Sequence, residues 1–325
     1  MSGREVPVWT NRSRRNMRRP RVGFGRGMVR LGAAVVVLAA VGCGGDDERE
    51  AADRAREKSA YEMEKKHEKT VLSETVLDSL RAMKVRFSIT RDEYRDDKGG
   101  VLANEYLEVW YPVGGATVTH GMHAFGLIVS ARDAVQNAFG AVPGERLTVR
   151  CAQTMADYTK DTGKEWWRYG RIRGDEIEFQ PVPTLYQRGL DRIAVPREYY
   201  LWALGKLSAG RLPEWWLEGY ASLLSGEGPV LRSQMGEFPD QKLKLDLKAI
   251  ESALRKENDR MAYRIAAFNA FSMIERLLGQ YGPEPLSSAV KMMKEGKGVE
   301  DAIEASYGKP YRDVVEDAMA FEIKL

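Results

Sequence analysis

The sequence has few of the residues that build disulfide frameworks and metal sites. Its 325 residues include two cysteines, Cys43 and Cys151, and three histidines, at positions 67, 120 and 123. Two cysteines are too few for a disulfide framework. The sequence also lacks a glycine-rich phosphate loop and a Gly-x-Ser-x-Gly motif. The usual sequence signatures of a phosphate-binding loop and of a serine hydrolase are therefore missing.

Charge is distributed unevenly along the chain. The composition is 43% hydrophobic and 30% charged, which excludes a disordered chain and leaves room for a sizeable core. The net charge is +3, but residues 1–43 hold nine arginines, no lysine and one acid. The rest has 41 bases and 46 acids, a net charge of −5. A mildly acidic folded part argues against a nucleic-acid partner.

The basic N-terminal segment is typical of a bacterial lipoprotein signal. A basic stretch at 26–30 precedes an apolar run at 31–41, which is too short to span a bilayer as a helix. The run ends in Ala40-Val41-Gly42-Cys43, which resembles a lipobox. Residues 1–43 are therefore predicted to be a signal peptide, with a possible start at Met28 and a lipid on Cys43. The alternative is a secretory signal or membrane anchor with an incidental cysteine.

The remaining sequence divides into a charged tether and a domain. The density of charge at 44–80 predicts a partly helical tether. In the domain, 81–325, strands are predicted at 84–90, 104–113 and 146–152, with a helix at 119–139. Residues 166–179 are predicted to form two short strands joined at 173–175. From residue 184 the pattern is helical, with helices predicted at 197–209, 214–224, 245–256, 260–281, 285–294, 299–307 and 311–323. A strand-rich N-terminal half and a helical C-terminal half predict an α+β fold.

One segment carries a family resemblance. Residues 196–219 read PREYYLWALGKLSAGRLPEWWLEG. This resembles the zinc-site segment of gluzincin metallopeptidases, in particular the peptidase-MA-like family of bacterial secreted proteins. In that family a helix with HExxH precedes a Gly-Arg-Leu-Pro-type turn and a second helix with a Trp and a Glu-Gly pair. The matching residues here are Gly210-Arg211-Leu212-Pro213, Trp215 and Glu218-Gly219.

The resemblance covers roughly residues 100–323 and implies a thermolysin-like or gluzincin-like peptidase fold. In the family, two histidines at i and i+4 and a glutamate on the next helix hold zinc. The glutamate after the first histidine deprotonates the zinc-bound water. The matching positions here are Arg197, Glu198, Leu201 and Glu218, so both glutamates are retained and both histidines are replaced.

A site with RExxL in place of HExxH is not expected to hold the zinc that is usual for the family. One carboxylate is too few ligands, and the permanent charge of Arg197 would repel a dication. We therefore expect no metal cofactor and no working catalytic group. Arg197 is expected to occupy the place of the metal and pair with Glu198, Glu218 or both, while Leu201 fills the other position. The alternative is that Arg197 and Glu218 are ordinary surface residues.

Three further sets of residues are candidates with weaker support. Tyr199, Trp202, Trp215 and Tyr220 could line a cleft for a substrate or partner, although core packing is expected for at least half of the aromatics in this segment. His120 and His123 form an HxxH that could supply substitute metal ligands, or they are solvated residues at a helix start. Cys151 is expected to be a buried structural thiol.

The sequence supports one main function and two alternatives. The main prediction is a non-catalytic, peptidase-like lipoprotein of the cell envelope, facing the periplasm or exterior. Its expected partners are the membrane, through the lipid, and a protein or peptide in the cleft. The first alternative is an active enzyme, either a metallopeptidase with a displaced site or a hydrolase that uses Glu198 without zinc. The second is a purely structural envelope lipoprotein whose cleft is filled by its own side chains.

Overall fold

The computed structural model describes residues 78, 80–82, 84–91, 98–113, 116–236, 243–256 and 259–323. All of them belong to one compact unit, residues 51–325. The predicted signal peptide with Cys43 lies outside the described residues. So do His67 and the predicted tether, apart from positions 78 and 80.

The described part of the chain is mixed α/β and contains a six-stranded sheet in the order β1-β2-β3-β4-β6-β5. Its strands are β1 Arg86–Arg91, β2 Lys98–Ala103, β3 Leu107–Pro112, β4 Leu147–Cys151, β5 Gly170–Arg173 and β6 Glu176–Phe179. β3, β4 and β6 run parallel, whereas β1–β2, β2–β3 and β5–β6 are antiparallel pairs. β5 is therefore an edge strand within the described part of the chain.

The period-two pattern of β4 shows why the sheet forms at this position. Leu147, Val149 and Cys151 are buried, and the residues between them are half-buried. Helix α1, Val118–Phe139, packs against β2 and β3. Thr117 caps it, because its Oγ1 accepts from the His120 amide while His120 Nδ1 accepts from the Thr117 amide at 3.2 Å.

The other helices supply the second half of the domain and the walls of the site. They are α2 Met155–Thr162, α3 Val182–Gln187, α4 Asp191–Leu207, α5 Glu214–Leu224, α6 Gly228–Met235, α7 Leu247–Lys256, α8 Arg260–Tyr281, α9 Glu284–Lys294, α10 Val299–Tyr307 and α11 Tyr311–Met319. Among the described helices, none combines the length and apolarity required to cross a bilayer.

α8 is the central helix of this second half. Its residues from Tyr263 to Ile274 are all buried, and it packs against α5, α6, α7 and α11. The contact with α5 is very close at Gly219, where a Cβ would overlap the backbone carbonyl of Ala270. The Glu218-Gly219 pair therefore brings the α5 backbone against α8 and places Glu218 beside the side chains of α8.

Candidate functional site

The candidate site is built on helices α4 and α5. α4 continues through Pro196, and it buries both Arg197 and Glu198, each of which is 2% exposed. Leu201 lies one turn further along and is partly buried against the core. After the turn at 210–213, α5 carries Glu218, which is also buried.

The Arg197 guanidinium contacts three carboxylates and one hydroxyl. Nη1 donates to Glu198 Oε1 at 2.7 Å, and Nε donates to Glu227 Oε2 at 2.8 Å. Nη2 donates to Glu218 Oε1 and, at 2.8 Å, to the hydroxyl of Tyr263. The predicted contact between Arg197 and Glu218 is therefore present, and neither residue is an ordinary surface residue.

A second layer of polar side chains holds Glu227, which is fully buried. Arg264 Nη1 donates to Glu227 Oε1 at 2.8 Å, and Ser222 Oγ donates to Glu227 Oε2 at 3.0 Å. The Tyr169 hydroxyl donates to Glu227 Oε1 at 3.3 Å and accepts from Arg264 Nη2 at 3.2 Å. The site is thus a hydrogen-bonded network of side chains from helices α4, α5 and α8, together with Tyr169, which precedes β5, and Glu227, which precedes α6.

The network balances charge in a buried setting. Its three glutamates, Glu198, Glu218 and Glu227, face three buried arginines, Arg168, Arg197 and Arg264. Burial alone would lower the pKa of Arg197, but Glu218, Tyr263 and the other carboxylates raise it well above its usual value. Arg197 is therefore a permanent cation at the centre of the network.

The pKa values of Glu198 and Glu227 shift in opposite directions. Burial raises the pKa of Glu198, and this effect exceeds the opposing influence of Arg197 and Arg168. Burial also acts to raise the pKa of Glu227, but Arg197 and Arg264 bring that pKa below its usual value. Glu227 is thus a fixed anion, whereas Glu198 is the carboxyl in this network that gains a proton more readily than usual.

These residues do not fit a zinc ion. The guanidinium of Arg197 is bonded to the same two carboxylates, Glu198 and Glu218, that the family resemblance would place beside the metal. Leu201, at the second histidine position, has no donor atom for a metal. Across the described ranges, no group of three or more His, Cys, Asp or Glu side chains is arranged to hold a metal.

A pocket of about 340 Å³ opens on one side of this network. Glu198, Leu201, Glu218 and Tyr263 line it together with Gly170 and Ile172 of β5. Gly170 allows the close approach of Glu198, because a Cβ at this position would lie 3.0 Å from Glu198 Cγ. The pocket therefore lies between the edge strand and the helix that carries the RExxL segment.

The four candidate cleft aromatics lie elsewhere. Tyr199, Trp202, Trp215 and Tyr220 are buried in the hydrophobic core, and none of them lines the pocket. Trp215 stacks on Trp216 with 5.7 Å between ring centroids, and Tyr199 packs against Trp202 at 5.6 Å. The structure thus gives these residues a packing role, and the pocket is lined by Leu, Ile and charged side chains together with Gly170 and Tyr263.

The two histidines of the HxxH do not meet the RExxL segment. His123 Nε2 lies 2.6 Å from Asp191 Oδ2 at the first turn of α4, and His120 takes part in the α1 cap. Both rings contact the exposed Tyr186 edge-on, with centroid distances of 6.4 Å for His120 and 5.8 Å for His123. Cys151 is a buried thiol in β4, as its predicted structural role requires.

Six residues of the network were not predicted from the sequence. They are Arg168, Tyr169, Ser222, Glu227, Tyr263 and Arg264. Only Glu227 has a local signal, because it stands between Gly226 and Gly228 immediately before a helix. A buried glutamate in such a turn needs a cation, and two arginines, Arg197 and Arg264, donate to it.

Comparison with solved structures gives a distant structural similarity. No family model matches the chain, and no curated protein matches it. A solved structure of Legionella pneumophila aminopeptidase A in complex with aspartic acid has a TM-score of 0.43 and 15% sequence identity. The similarity covers 72% of this chain but only 28% of the length of that protein. At this level the chain is not assigned to the family of that enzyme.

Proposed function

We propose that the protein is a non-catalytic, peptidase-like binding protein with a gluzincin-like domain and a degenerate zinc site. In this proposal a lipid on Cys43 anchors it to a bacterial membrane, and the domain faces the periplasm or the cell exterior. The ligand is a peptide or protein segment held in the pocket between β5 and α4. The proposal concerns binding and not catalysis, because Arg197 and Leu201 replace the two histidines that would hold the zinc.

The single observation that carries the proposal is the position of Arg197. Its guanidinium contacts Glu198, Glu218 and Glu227, and it is 2% exposed. A buried carboxylate needs a compensating charge, and a bidentate guanidinium supplies both charge and hydrogen bonds. The arginine therefore performs the stabilising role of a metal without its Lewis acidity. The pocket next to this network offers a binding surface for a ligand, but the network supplies no metal to activate water.

The edge strand supports a peptide as the ligand. Tyr169 O accepts from Gln180 N at 3.2 Å, which makes residues 169 and 180 a hydrogen-bonded pair of the β5–β6 ladder. By alternation, Gly170 and Ile172 direct their backbone groups toward the outer side of the strand. Both residues line the pocket. An extended peptide could therefore add to β5 as a further strand, with its side chains directed into the pocket.

A hydrolase that uses Glu198 without metal is the second candidate. It is favoured by the raised pKa of Glu198, which burial causes, and by the position of this carboxyl on the pocket wall. A carboxyl with a raised pKa can act as a general acid or base near neutral pH. Hydrolysis of an unstructured peptide that is unaffected by a metal chelator and lost in Glu198→Gln would support this candidate over the first.

The test of the main proposal is the zinc content of residues 44–325 after incubation with zinc and dialysis. We expect well below one zinc per chain in protein that stays folded by circular dichroism, and no cleavage of unstructured peptides. About one tightly held zinc per chain would overturn the proposal, because the site would then be a working metal centre. Binding of peptides in the absence of cleavage would separate a binding protein from a purely structural one.

A further inference from the structure

Two sets of oppositely charged residues line the pocket. The acidic residues come only from α4 and α5, and the basic residues come only from the segment that leads into β5 and from β5 itself. The acidic wall consists of Glu198, Glu214 and Glu218, and the basic wall consists of Lys164, Arg168 and Arg171. The pocket lining thus combines three carboxylates and three cations, and each set comes from its own part of the chain.

An apolar strip lies among these charged residues. Ile172 of β5, Leu201 of α4, Leu217 of α5 and Leu254 of α7 complete the pocket lining, with Gly170 and Tyr263. Such a strip can bury a small aliphatic side chain. The cavity of about 340 Å³ falls at the small end of the usual size range for ligand sites, which runs from about 300 to 1,000 Å³.

We propose that this pocket binds a short zwitterionic peptide of two or three residues. Its α-ammonium group would face the acidic wall, its terminal carboxylate would face the basic wall, and an aliphatic side chain would cover the apolar strip. This inference rests on the proposed peptide-binding function and narrows the ligand from any peptide segment to one with both termini free. An internal segment of a longer chain would bring neither charge to the walls.

The acidic wall retains acceptor capacity for an ammonium group. In the part of the chain that the structure describes, the hydrogen bonds to Glu198 and Glu218 all fall on Oε1 of each residue. The Oε2 atoms of these two pocket-lining carboxylates are therefore the acceptors that a ligand would use. Glu198 is 2% exposed, so an ammonium bonded there would be largely removed from water.

The basic wall can accept a carboxylate while keeping its own contacts. Arg171 Nη1 donates to the carbonyl of Asp161 at 3.2 Å, and a guanidinium has five donors in all. Arg171 is half-buried on the edge strand, beside the backbone of Gly170 and Ile172. A ligand carboxylate at this wall would gain charge-assisted hydrogen bonds, which are about twice as strong as neutral ones.

The test is calorimetric titration of the full chain, purified in mild detergent, with Ala-Leu and its capped forms. The capped forms are N-acetyl-Ala-Leu, Ala-Leu amide and N-acetyl-Ala-Leu amide. We expect Ala-Leu to bind and each single cap to weaken binding by roughly tenfold or more, because each cap removes one charged group that the pocket would bind. Equal affinity for all four ligands, or a loss with only one of the caps, would overturn the zwitterion assignment.

A longer peptide separates the failure of this inference from the failure of the proposed function. If Ala-Leu does not bind but a doubly capped extended pentapeptide does, the ligand class is wrong and the peptide-binding function stands. If neither binds to folded protein, the proposed function fails as well. Detection of binding in both cases uses the same heat signal, so the two outcomes are directly comparable.

Two matched variants test whether the carboxylate of the ligand binds at the basic wall. Arg171→Gln is expected to weaken Ala-Leu roughly tenfold but to leave Ala-Leu amide unchanged. Arg173→Gln is the control, because Arg173 lies on the same strand, is exposed and does not line the pocket. An equal loss for both ligands in Arg171→Gln, or the same effect in Arg173→Gln, would contradict the proposed orientation.

Discussion

Arg197 on α4 contacts the carboxylate of Glu218 on α5, and Tyr263 of α8 donates to the same Glu218 oxygen at 2.8 Å. Arg197 also donates to the Tyr263 hydroxyl at 2.8 Å, which closes a triangle of three side chains from three helices. A metal ion in this position would join the two helices through coordination bonds. Here a guanidinium joins them through hydrogen bonds, so we expect the packing of α4 against α5 to depend on this arginine.

The first prediction concerns the stability that Arg197 provides. Arg197→Ala would leave three buried carboxylates with one fewer cation, and removal of one partner from a buried ion pair costs about 3–5 kcal/mol. We expect a loss of this size in the free energy of unfolding, measured by urea denaturation. Arg197→Lys should lose less, because it keeps the charge but not the planar set of donors.

The matched control for this loss is an arginine in an exposed ion pair. Arg312 pairs with Glu316 one turn further along α11 at 2.8 Å, and both side chains are mostly exposed. Arg312→Ala should leave stability almost unchanged. A comparable loss in both variants would show that Arg197 has no special role in the buried network.

The second prediction is that two substitutions restore a metal site. Arg197→His with Leu201→His would place two imidazoles at i and i+4 on α4, near Glu218 of α5, which gives the three protein ligands that zinc commonly has in enzymes. We expect the double variant to bind about one zinc per chain and to melt at a higher temperature when zinc is present. Zinc content and thermal unfolding with and without a chelator would measure this.

Leu201→His alone is the control for the restored site. It keeps Arg197 between the carboxylates, so it should hold no zinc and gain no stability from it. If the folded double variant also fails to bind zinc, then the retained glutamates do not mark a former metal position. The RExxL segment would in that case resemble a peptidase helix in sequence only.

The part of the site that lies within residues 196–219 was predictable from the sequence. The family resemblance was sufficient to predict the contact between Arg197 and Glu218, because it places both positions beside the same metal in the family. It was not sufficient for Glu227, Tyr263 or Arg264, which join the network only through tertiary packing. Burial of a side chain depends on distant segments, and the short pattern around Gly226-Glu227-Gly228 contains no information about them.

The helices and strands, too, were predicted correctly where the local sequence determines them and incorrectly where contacts with distant segments do. The ends of α5, α8 and α10 match the predicted ranges, because each has a clear apolar pattern and a proline or glycine nearby. β2 was missed because Gly99-Gly100 is typical of a chain break, whereas here the glycines make room for the rings of Trp110 and Tyr111 on β3. α4 begins at Asp191, before Pro196, so the predicted start at residue 197 was wrong.

The third prediction concerns the acid sensitivity of the network. Arg197 and Arg264 overcome the effect of burial and lower the pKa of Glu227, so its stabilising contribution is complete above the unfolded pKa of about 4.3. That contribution is lost as the pH falls through the lower pKa of the folded state. Glu227→Gln should therefore cost about 1.5–3 kcal/mol at pH 6 and progressively less below pH 4. Urea denaturation between pH 3 and pH 8 would measure both profiles.

Glu198 should show the opposite dependence. Burial raises its pKa, so its ionised form is disfavoured in the folded state, and this cost is relieved as the pH falls from the folded pKa toward about 4.3. As the pH falls toward about 4.3, the free energy of unfolding of wild type should thus increase relative to that of Glu198→Gln. Over this range the contribution of Glu227 is still intact. Profiles for the two variants that run parallel to each other would contradict the opposite pKa shifts.

The last prediction tests the close contact between α5 and α8 that positions Glu218. In Gly219→Ala the new Cβ would overlap the carbonyl of Ala270, which is backbone and cannot move aside without shifting a helix. Overpacking of this kind costs about 1–3 kcal/mol, and any separation of α5 from α8 would also weaken the contact of Glu218 with Tyr263. Gly205→Ala on α4 is the control, because a Cβ there meets no atom within 4 Å and should stabilise the helix by about 0.5–1 kcal/mol. Equal unfolding free energies for the two alanine variants would show that the Glu-Gly pair does not determine the distance between the two helices.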